Sequence, residues 1–433
     1  MSKTEVVVGA RVRTAERRQV EWRASDLDSL IGEAHRARTL WSLIEQLDLS
    51  GLYRPIQSRD GEVGRPATDP KILLALWVYA TSEGIGSARQ IDRLCKTDAP
   101  YRWICGGVAM NPHTLSDFRV VHGEAVDRLM TQVIATLMHN GLLHLRRVAH
   151  DGMRVRASAG AASFRRQATL ERCAAEARQQ ISELRREMEE SPAATDTRHR
   201  AAKKRAAEER CKALERALAE MPKVVEAKAR AARTPKQKEA LTKADDDKKR
   251  GPRVSTTDPT ARVMKMADGG FRPAYNVQIA TDTESRFIVG IDVSNAGSDH
   301  RLLAPMLDDI ERRTGRLPDE HLVDGGFCTL EQIDLASERK VTVYAPAPKP
   351  RGINPRRGRH DTPHVAAWRE RMQQPVSAAI YKLRAATAET VNADLRRWRG
   401  LDRFVVRGLD RARTAATLAA LTYNLLRWSK LAA

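Results

Sequence analysis

Three carboxylates stand in sequence contexts that suit metal-assisted chemistry: Asp151, Asp324 and Glu389. Asp151 and Asp324 each close a predicted strand (RRVAHD and HLVD), and each precedes a glycine that lets the backbone turn away while the carboxylate points outward. Glu389 lies in a predicted helix after the last strand. Carboxylate oxygens are ligands for Mg²⁺ or Mn²⁺, and two such ions can drive phosphoryl transfer. A lone Asp-Gly pair is more often a simple turn and is weak evidence by itself. The three carboxylates are far apart in the sequence, so this chemistry requires the fold to bring them together.

The elements that must position these residues follow residue 142. Strand-like segments read LLHLRRVAHDG, RPAYNVQIATD, RFIVGIDVSN, EHLVDGG and VTVYAPAP, and the turn DTES predicts a hairpin between the second and third. Helical segments, SDHRLLAPMLDDIERRTG and TLEQIDLASERK, lie on either side of EHLVDGG. This order indicates an α/β fold with a mixed sheet and flanking helices, and it matches the core order of ribonuclease H-like folds.

A long insertion interrupts the predicted sheet. Residues 164–253 carry apolar or small side chains at alternating steps of three and four on two helices joined by SPAATDTRH, which predicts an antiparallel helical hairpin. The polar stretch ARTPKQKEALTKADDDKKRGP that follows is expected to be flexible. We therefore expect an N-terminal helical DNA-binding region at 1–140, the ribonuclease H-like domain at 141–163 and 254–400, the insertion at 164–253, and a basic C-terminal helical segment at 401–433.

The N-terminal region is predicted to be all-α. Residues that can cap its helices are Asp69, Ser87 and Asn111. The segment NPHTLSDFRVV, which follows a short turn, can form the second helix of a helix-turn-helix that directs His113, Ser116 and Arg119 outward to DNA. An ordinary helical bundle fits the same pattern equally well.

The charge distribution favours a polyanionic partner. The net charge is +20, and cationic side chains bind nucleic acid by neutralising phosphates and releasing counterions. Residues 164–253 and 346–433 are strongly basic, whereas 254–345 carry an acidic excess, as expected of a metal site between surfaces that hold DNA. The alternative is that an arginine-rich chain reflects only genome composition, but the charge favours a nucleic-acid partner over it.

Cysteine usage and hydropathy exclude several other classes. The five cysteines form no CxxC pair, which argues against a disulfide framework or a thiolate zinc site. No apolar run approaches the ~18 residues of a membrane span, and the N-terminal sequence lacks the features of a secretory signal. We expect a cytoplasmic protein with no membrane partner.

Several long blocks of the sequence resemble the DDE transposases of bacterial insertion sequences, whose catalytic domain is ribonuclease H-like and related to retroviral integrases. The blocks are GRPATDPKILLALWVYATSEGIGSARQIDRLC, HDGMRVRASA, AYNVQIATDTESRFIVGIDVSNAGSDHRLLAPML, GRLPDEHLVDGGF and YKLRAATAETVNADLRRWRGLDRFVVRGL. The resemblance implies that Asp151, Asp324 and Glu389 are the catalytic triad and hold Mg²⁺ or Mn²⁺. It also implies cleavage at terminal inverted repeats and strand transfer to target DNA, without a covalent protein–DNA intermediate, by a homo-oligomer assembled on DNA.

Members of this family often carry a tyrosine, an arginine three residues later, the glutamate four beyond that, and a lysine seven after the glutamate. Here Tyr381 and Arg384 fit, but Glu389 comes five residues after Arg384, and the basic position is Arg396. Glu389 and Arg396 share a helix face, whereas Arg384 is displaced from Glu389 by roughly 140°; Asp394 is the alternative to Glu389. The residues expected to contact DNA are Tyr381, Arg384, Arg396, Arg397 and Arg119.

Three other residues invite functional interpretations that we weigh against structural ones. His150 projects to the opposite side of its strand from Asp151, so a buried structural histidine is favoured over a ligand. Asp299 is interpreted as a first-turn acid that the helix dipole favours. For Trp398, a core contact is favoured over stacking on a flipped base.

Two other functions compete with transposition. The chain can be a non-catalytic DNA-binding regulator derived from a transposase, or a ribonuclease H-like nuclease that acts on RNA–DNA hybrids or branched DNA. Inverted repeats bracketing the coding region, with short target duplications outside them, would favour transposition over both.

Overall fold

The computed structural model describes residue 24 and residues 26–58, 66–190, 197–231, 251–347 and 361–431. The polar stretch 232–252, for which we predict flexibility, lies outside these residues except for its last two.

The N-terminal region is helical, as predicted. Its helices are α1 (Arg36–Glu45), α2 (Ser50–Tyr53), α3 (Pro70–Ser82), α4 (Ala88–Thr97), α5 (Ala99–Cys105), α6 (Pro112–Val121) and α7 (Gly123–His139). The α3 sequence KILLALWVYA is apolar on every side, and the helix is accordingly buried almost throughout. The side chains of Asp69, Ser87 and Asn111 each accept hydrogen bonds from backbone N–H groups in the first turn of α3, α4 and α6, which confirms the predicted caps.

Six strands of the described residues form one mixed sheet. They are β1 (Arg147–Arg156), β4 (Arg262–Lys265), β5 (Phe271–Asp282), β6 (Ile288–Ser294), β7 (Glu320–Leu322) and β8 (Thr342–Tyr344). β5 pairs with β1 on one side and with β4 and then β6 on the other, always antiparallel, whereas β1, β7 and β8 run parallel. The predicted DTES hairpin joins β5 to β6. This mixed sheet with flanking helices is consistent with the predicted ribonuclease H-like fold.

Helices cover the sheet and connect it to the N-terminal region. They are α10 (Leu303–Thr314), α11 (Leu330–Glu338), α12 (Pro363–Gln373), α13 (Pro375–Trp398) and α14 (Leu409–Leu431). The α13 helix packs on β1 and β5, and α14 packs on β6, α3 and α7. Asn424 of α14 is fully buried and bonds both backbone groups of Ile288, its Oδ1 accepting from the N–H at 2.9 Å and its Nδ2 donating to the carbonyl at 2.8 Å. α14 therefore lies between the helical region and the sheet.

The insertion forms the predicted helical hairpin. Its helices α8 (Gln167–Glu190) and α9 (Thr197–Ala231) share a small apolar core, and a two-stranded sheet of β2 (Phe164–Arg165) and β3 (Val254–Ser255) closes their base. Arg178 Nη2 of α8 lies 3.0 Å from Glu215 of α9, near the middle of both helices. The helices are antiparallel, because Arg200 near the start of α9 donates to the Glu187 carbonyl near the end of α8 at 3.4 Å. Nothing in the fold tests the exact domain boundaries, which remain predictions.

Candidate active site

Asp151 and Asp324 occupy equivalent positions on neighbouring parallel strands. β1 and β7 pair in register from Arg147 with Glu320 to Ala149 with Leu322, and each aspartate lies two residues beyond that last pair. Asp324 follows the end of β7, as predicted. The prediction that Asp151 ends its strand is wrong, because β1 stays paired with β5 as far as Arg156. Because β7 ends before it reaches Asp151, this part of β1 has no strand paired on its β7 side, and side chains from other elements can approach it.

Gly152 continues the strand instead of turning it. A Cβ at this position would lie 2.5 Å from Asp299 Oδ1, 2.6 Å from Gln278 Nε2 and 2.9 Å from Asn276 Oδ1. The glycine is therefore required by a polar cluster that passes directly behind the strand, and the turn expected from the Asp-Gly pair does not form.

Asp299 is the centre of this cluster. Its carboxylate accepts hydrogen bonds from Asn276 at 2.7 Å, from Gln278 at 2.9 Å and from Arg154 at 3.0 Å. The interpretation of Asp299 as a first-turn acid is wrong, because α10 begins four residues later, at Leu303. The three donors hold the Asp299 carboxylate in place behind the strand that carries Asp151.

Two residues of α13 contact the Asp151 carboxylate directly. Arg384 Nη1 lies 3.6 Å from Oδ1, and Asn392 Nδ2 donates to Oδ2 at 3.2 Å. Burial raises the pKa of Asp151, with a further contribution from the charge of Asp324, while the Arg384 guanidinium opposes this rise. Because burial disfavours its ionised form, the Asp151 carboxylate is stabilised as an anion by a nearby cation.

The negative charge of Asp324 also affects the pKa of two neighbouring side chains, Cys328 and Tyr381. Burial and the Asp324 carboxylate together raise the pKa of the Cys328 thiol to about 12. The pKa of Tyr381 is raised by burial and by Asp324, against the opposing influence of Arg384. Tyr381, Arg384 and the two aspartates therefore belong to one electrostatic cluster.

Glu389 and Arg396 share a cleft with Asp151. The cleft measures about 920 Å³, and all three of these residues line it, together with Asn392. Glu389, Asn392 and Arg396 recur along one face of α13 because steps of three and four residues return to the same side of a helix. Asp324 is not among the lining residues. Asp394 bonds Arg399 at 2.9 Å and lines a different depression, which favours Glu389 over this alternative.

The oxygen atoms around Asp151 suit a hard divalent cation. The Oδ1 atom of Asn392 is buried and accepts no hydrogen bond from any described residue, although its Nδ2 atom is held by Asp151. A buried amide oxygen that accepts no hydrogen bond and lies beside a carboxylate is suited to coordinate a cation. In the described residues no three Asp, Glu, His or Cys side chains are grouped closely enough to hold a metal ion.

His150 is a structural residue, as predicted. It is 0% exposed, its Nε2 lies 2.8 Å from Gln278 Oε1, and burial lowers its pKa to about 3. The ring of His321 packs against it with centroids 5.4 Å apart. Both rings lie in the core of the sheet, and His150 stays neutral at physiological pH.

Arg119 does not face outward. It is 8% exposed, its guanidinium lies 3.7 Å from the centre of the Trp77 ring, and its Nη1 donates to the Gly86 carbonyl at 3.0 Å. Burial lowers its pKa to about 10. His113 and Ser116 are exposed as expected, but the expectation that Arg119 faces outward is wrong, and its contact with DNA stays a prediction.

Trp398 also differs from expectation. It is 55% exposed at the end of α13, and Arg397 lies over its ring at 5.2 Å, so the favoured interpretation as a core contact is wrong. Arg397 is exposed, as a DNA contact requires.

The sequence pattern around the three carboxylates did not predict a role for Asn392 or the contacts of Asp299. Asn392 was detectable, since it lies three residues after Glu389 and four before Arg396 on the face predicted to carry both. Asp299 depends on its contacts with β1 and β5, for which the sequence carries no local signal.

Two family models match the chain. The model of the transposase DDE domain matches residues 228–425, a range that includes Asp324 and Glu389 but begins after Asp151. The model of a transposase domain, DUF772, matches residues 25–120. No curated protein and no solved structure matches. Among the described residues, none of the helices has the length and apolar character needed to cross a membrane.

Proposed function

Because the chain belongs to the DDE transposases of insertion sequences, we propose that it cleaves the ends of its element and joins them to target DNA by metal-dependent phosphoryl transfer. The observation that carries the proposal is the β1–β7 register, which sets Asp151 and Asp324 at equivalent positions on neighbouring strands, while the helix that bears Glu389 packs on β1. DNA is the partner, both as the terminal inverted repeats and as the target, and the site of action is the cytoplasm.

Asp151, Asp324 and Glu389 are the proposed ligands of Mg²⁺ or Mn²⁺, with the Asn392 carbonyl oxygen beside them. When bound, such ions activate the attacking water or 3′-hydroxyl and stabilise the leaving oxygen. Asp151 must be ionised to serve, and the Arg384 guanidinium favours that state by opposing the effect of burial.

The arginines of α13 are proposed to position the DNA strand. The Nε and Nη1 atoms of Arg384 are buried and donate no hydrogen bond to any described residue, so they can bind phosphate oxygens next to Asp151. Tyr381 lies against Arg384, with 5.8 Å from the guanidinium carbon to the ring centre. Arg396 in the cleft and Arg397 beyond it extend the cationic path. A homo-oligomer on DNA is part of the proposal, since two ends must be joined.

A cleavage assay tests the proposal. The purified protein is incubated with DNA that carries the inverted repeats flanking its coding region, with Mg²⁺, Mn²⁺ or a chelator. We expect Asp151→Asn, Asp324→Asn and Glu389→Gln to lower the cleavage rate by at least about 100-fold, since even indirect metal contacts contribute 10–100-fold. Asp292→Asn and Asp394→Asn are matched controls, because these aspartates pair with Arg413 and Arg399 outside the cleft.

The outcomes separate the competing functions. Aspartate variants that cut as fast as the parent would overturn the site. A parent protein that binds the repeats and never cuts them would favour the regulator. Faster cleavage of an RNA–DNA hybrid or branched DNA than of the repeats, in direct competition, would favour the nuclease.

A further inference from the structure

A two-stranded arm projects beside the cleft that contains Asp151 and Glu389. It consists of β4 and the start of β5, joined by a tight turn in which Met266 N donates to the Gly270 carbonyl at 2.7 Å. The last registered pair between β5 and β1 is Ala274 with Arg156. The arm therefore extends beyond β1 by three residues of β5, roughly 10 Å at the rise of a β-strand.

One face of the arm is exposed and carries both apolar and cationic groups. Lys265 and Phe271 are directly opposite each other in the antiparallel pair, so their side chains lie on the same face, as does Val263 two residues before Lys265. Phe271 is 69% exposed and Val263 is 50% exposed. No large apolar side chain among the described residues is more exposed than Phe271.

The arm is continuous with the cleft. Lys265, Asp268 and Arg272 line it together with Asp151 and Glu389. Arg272 is neutralised by Asp268, with its Nη1 2.6 Å from Oδ2. Lys265 forms no ion pair with a carboxylate of the described residues, so it is the arm's available cation. Arg396 provides a second cation from α13.

We propose that this arm clamps the DNA strand in the cleft, with Phe271 stacking on a base and Lys265 binding a backbone phosphate. This inference rests on the proposed function. An exposed aromatic ring beside a cation is the arrangement by which proteins hold single strands without reading their sequence, because every base offers an aromatic face. The strand then passes between Lys265 on the arm and Arg396 on α13, with Asp151 and Glu389 between them.

DNA binding in a chelating buffer tests the arm separately from catalysis. The probe is a fluorescent duplex with a short single-stranded extension, and affinity is measured by anisotropy at several salt concentrations. Phe271→Ala should weaken binding by about 5-fold to 150-fold, the range of aromatic stacking on one base, with an unchanged salt slope. Phe271→Trp should bind like the parent. Lys265→Ala should lower the salt slope by about 0.7–0.9, as for one lost phosphate contact.

The control is Val121→Ala, which removes another exposed apolar side chain, 62% exposed on α6 and outside the cleft. Because Phe271 is exposed, its variants should melt at the parent temperature, which is checked before binding. If Phe271→Ala and Lys265→Ala bind like Val121→Ala while the parent binds and cleaves DNA, the arm has no such role and the proposed function stands. If the parent binds no DNA, both proposals fail.

Discussion

The guanidinium of Arg384 lies 3.6 Å from the carboxylate of Asp151, at the position where the neighbouring strand β7 has ended. A fixed positive charge thus faces an aspartate that we assign as a metal ligand. The Nε and Nη1 atoms of the same arginine are buried and donate no hydrogen bond to any described residue. Arg384 therefore has two opposing effects on the site, which can be measured separately.

Arg384→Ala should tighten Mn²⁺ binding while it slows DNA cleavage. Removing a positive charge at about 4 Å is worth roughly 1 kcal/mol even in water, which corresponds to at least about fivefold in affinity. Calorimetric titration with Mn²⁺ measures the first effect. Arg397→Ala, which removes an exposed arginine from the end of the same helix, should leave the affinity unchanged. Weaker Mn²⁺ binding by Arg384→Ala would contradict the proposed position of the metal.

Asn392→Asp should make stability depend on metal. The new carboxylate would face Asp151, whose pKa is already raised by burial, so we expect a lower melting temperature in chelator because like charges repel. Added Mn²⁺ should restore more stability to this variant than to the parent, since binding to the folded state stabilises it. Asn392→Ala, which loses the hydrogen bond and gains no charge, is the control. Equal Mn²⁺ effects on all three proteins would argue against a cation beside Asn392.

Gly152→Ala should destabilise the fold by about 1–3 kcal/mol, because overpacking forces neighbouring groups apart. The added methyl group would meet Asp299, Gln278 and Asn276 within 3 Å. Urea denaturation measures the free energy of unfolding. Gly160→Ala is matched to it, since a Cβ there meets nothing within 4 Å and the backbone is extended. The contacts behind β1 would have to be looser than described if both variants unfolded at the same urea concentration.

Stability should fall as the pH decreases below about 6.5. The folded protein keeps His150 neutral, with a pKa of about 3, whereas in the unfolded chain this histidine binds a proton below its ordinary pKa of 6.5. The unfolded state therefore binds more protons between these values, and His150 contributes up to about 1.4 kcal/mol per pH unit to the loss. Denaturation at pH 7 and pH 5.5 should show a smaller loss for His150→Gln than for His113→Gln, whose side chain is exposed. Identical losses would mean that His150 is protonated in the folded state.

Arg119 and Arg396 should respond oppositely to alanine substitution. Arg119→Ala should lower the free energy of unfolding by about 1–3 kcal/mol, because it removes the contact with Trp77, and should leave the salt dependence of DNA binding unchanged. Arg396→Ala should leave stability near the parent value and reduce the salt slope by about one. A reduced slope for Arg119→Ala would support the DNA-contact prediction, against which its burial argues.

The order of elements was predictable because the hydrophobic periodicities of strands and helices are local, and the hairpin between β5 and β6 and the helical insertion follow from them. The error at Asp151 arose because Asp-Gly commonly marks a turn, whereas pairing with β5 keeps β1 extended. The error at Arg119 has a geometric cause. Each step of three residues falls 60° short of a full helical turn. Arg119 lies two such steps after the exposed His113, so its side chain points 120° away from that of His113 and reaches the core.

The site was less predictable than the fold. Asp151 and Asp324 are far apart in the chain, and their equivalence depends on a register between β1 and β7 that spans only three registered pairs. The contacts of Asp299 require three separate elements to meet. Side-chain chemistry indicates which residues can act, but tertiary pairing decides which of them meet.

The packing of α14 constrains the order in which the protein can fold. Leu418, Leu421 and Leu425 of this helix belong to the same apolar cluster as α3 and α7, and Asn424 bonds the backbone of β6. The N-terminal helices leave the ribosome long before α14 is synthesised, so their core stays incomplete during most of translation. A nascent or truncated chain that lacks α14 would expose that core, and we expect it to be a substrate for chaperones and proteases before it can bind DNA.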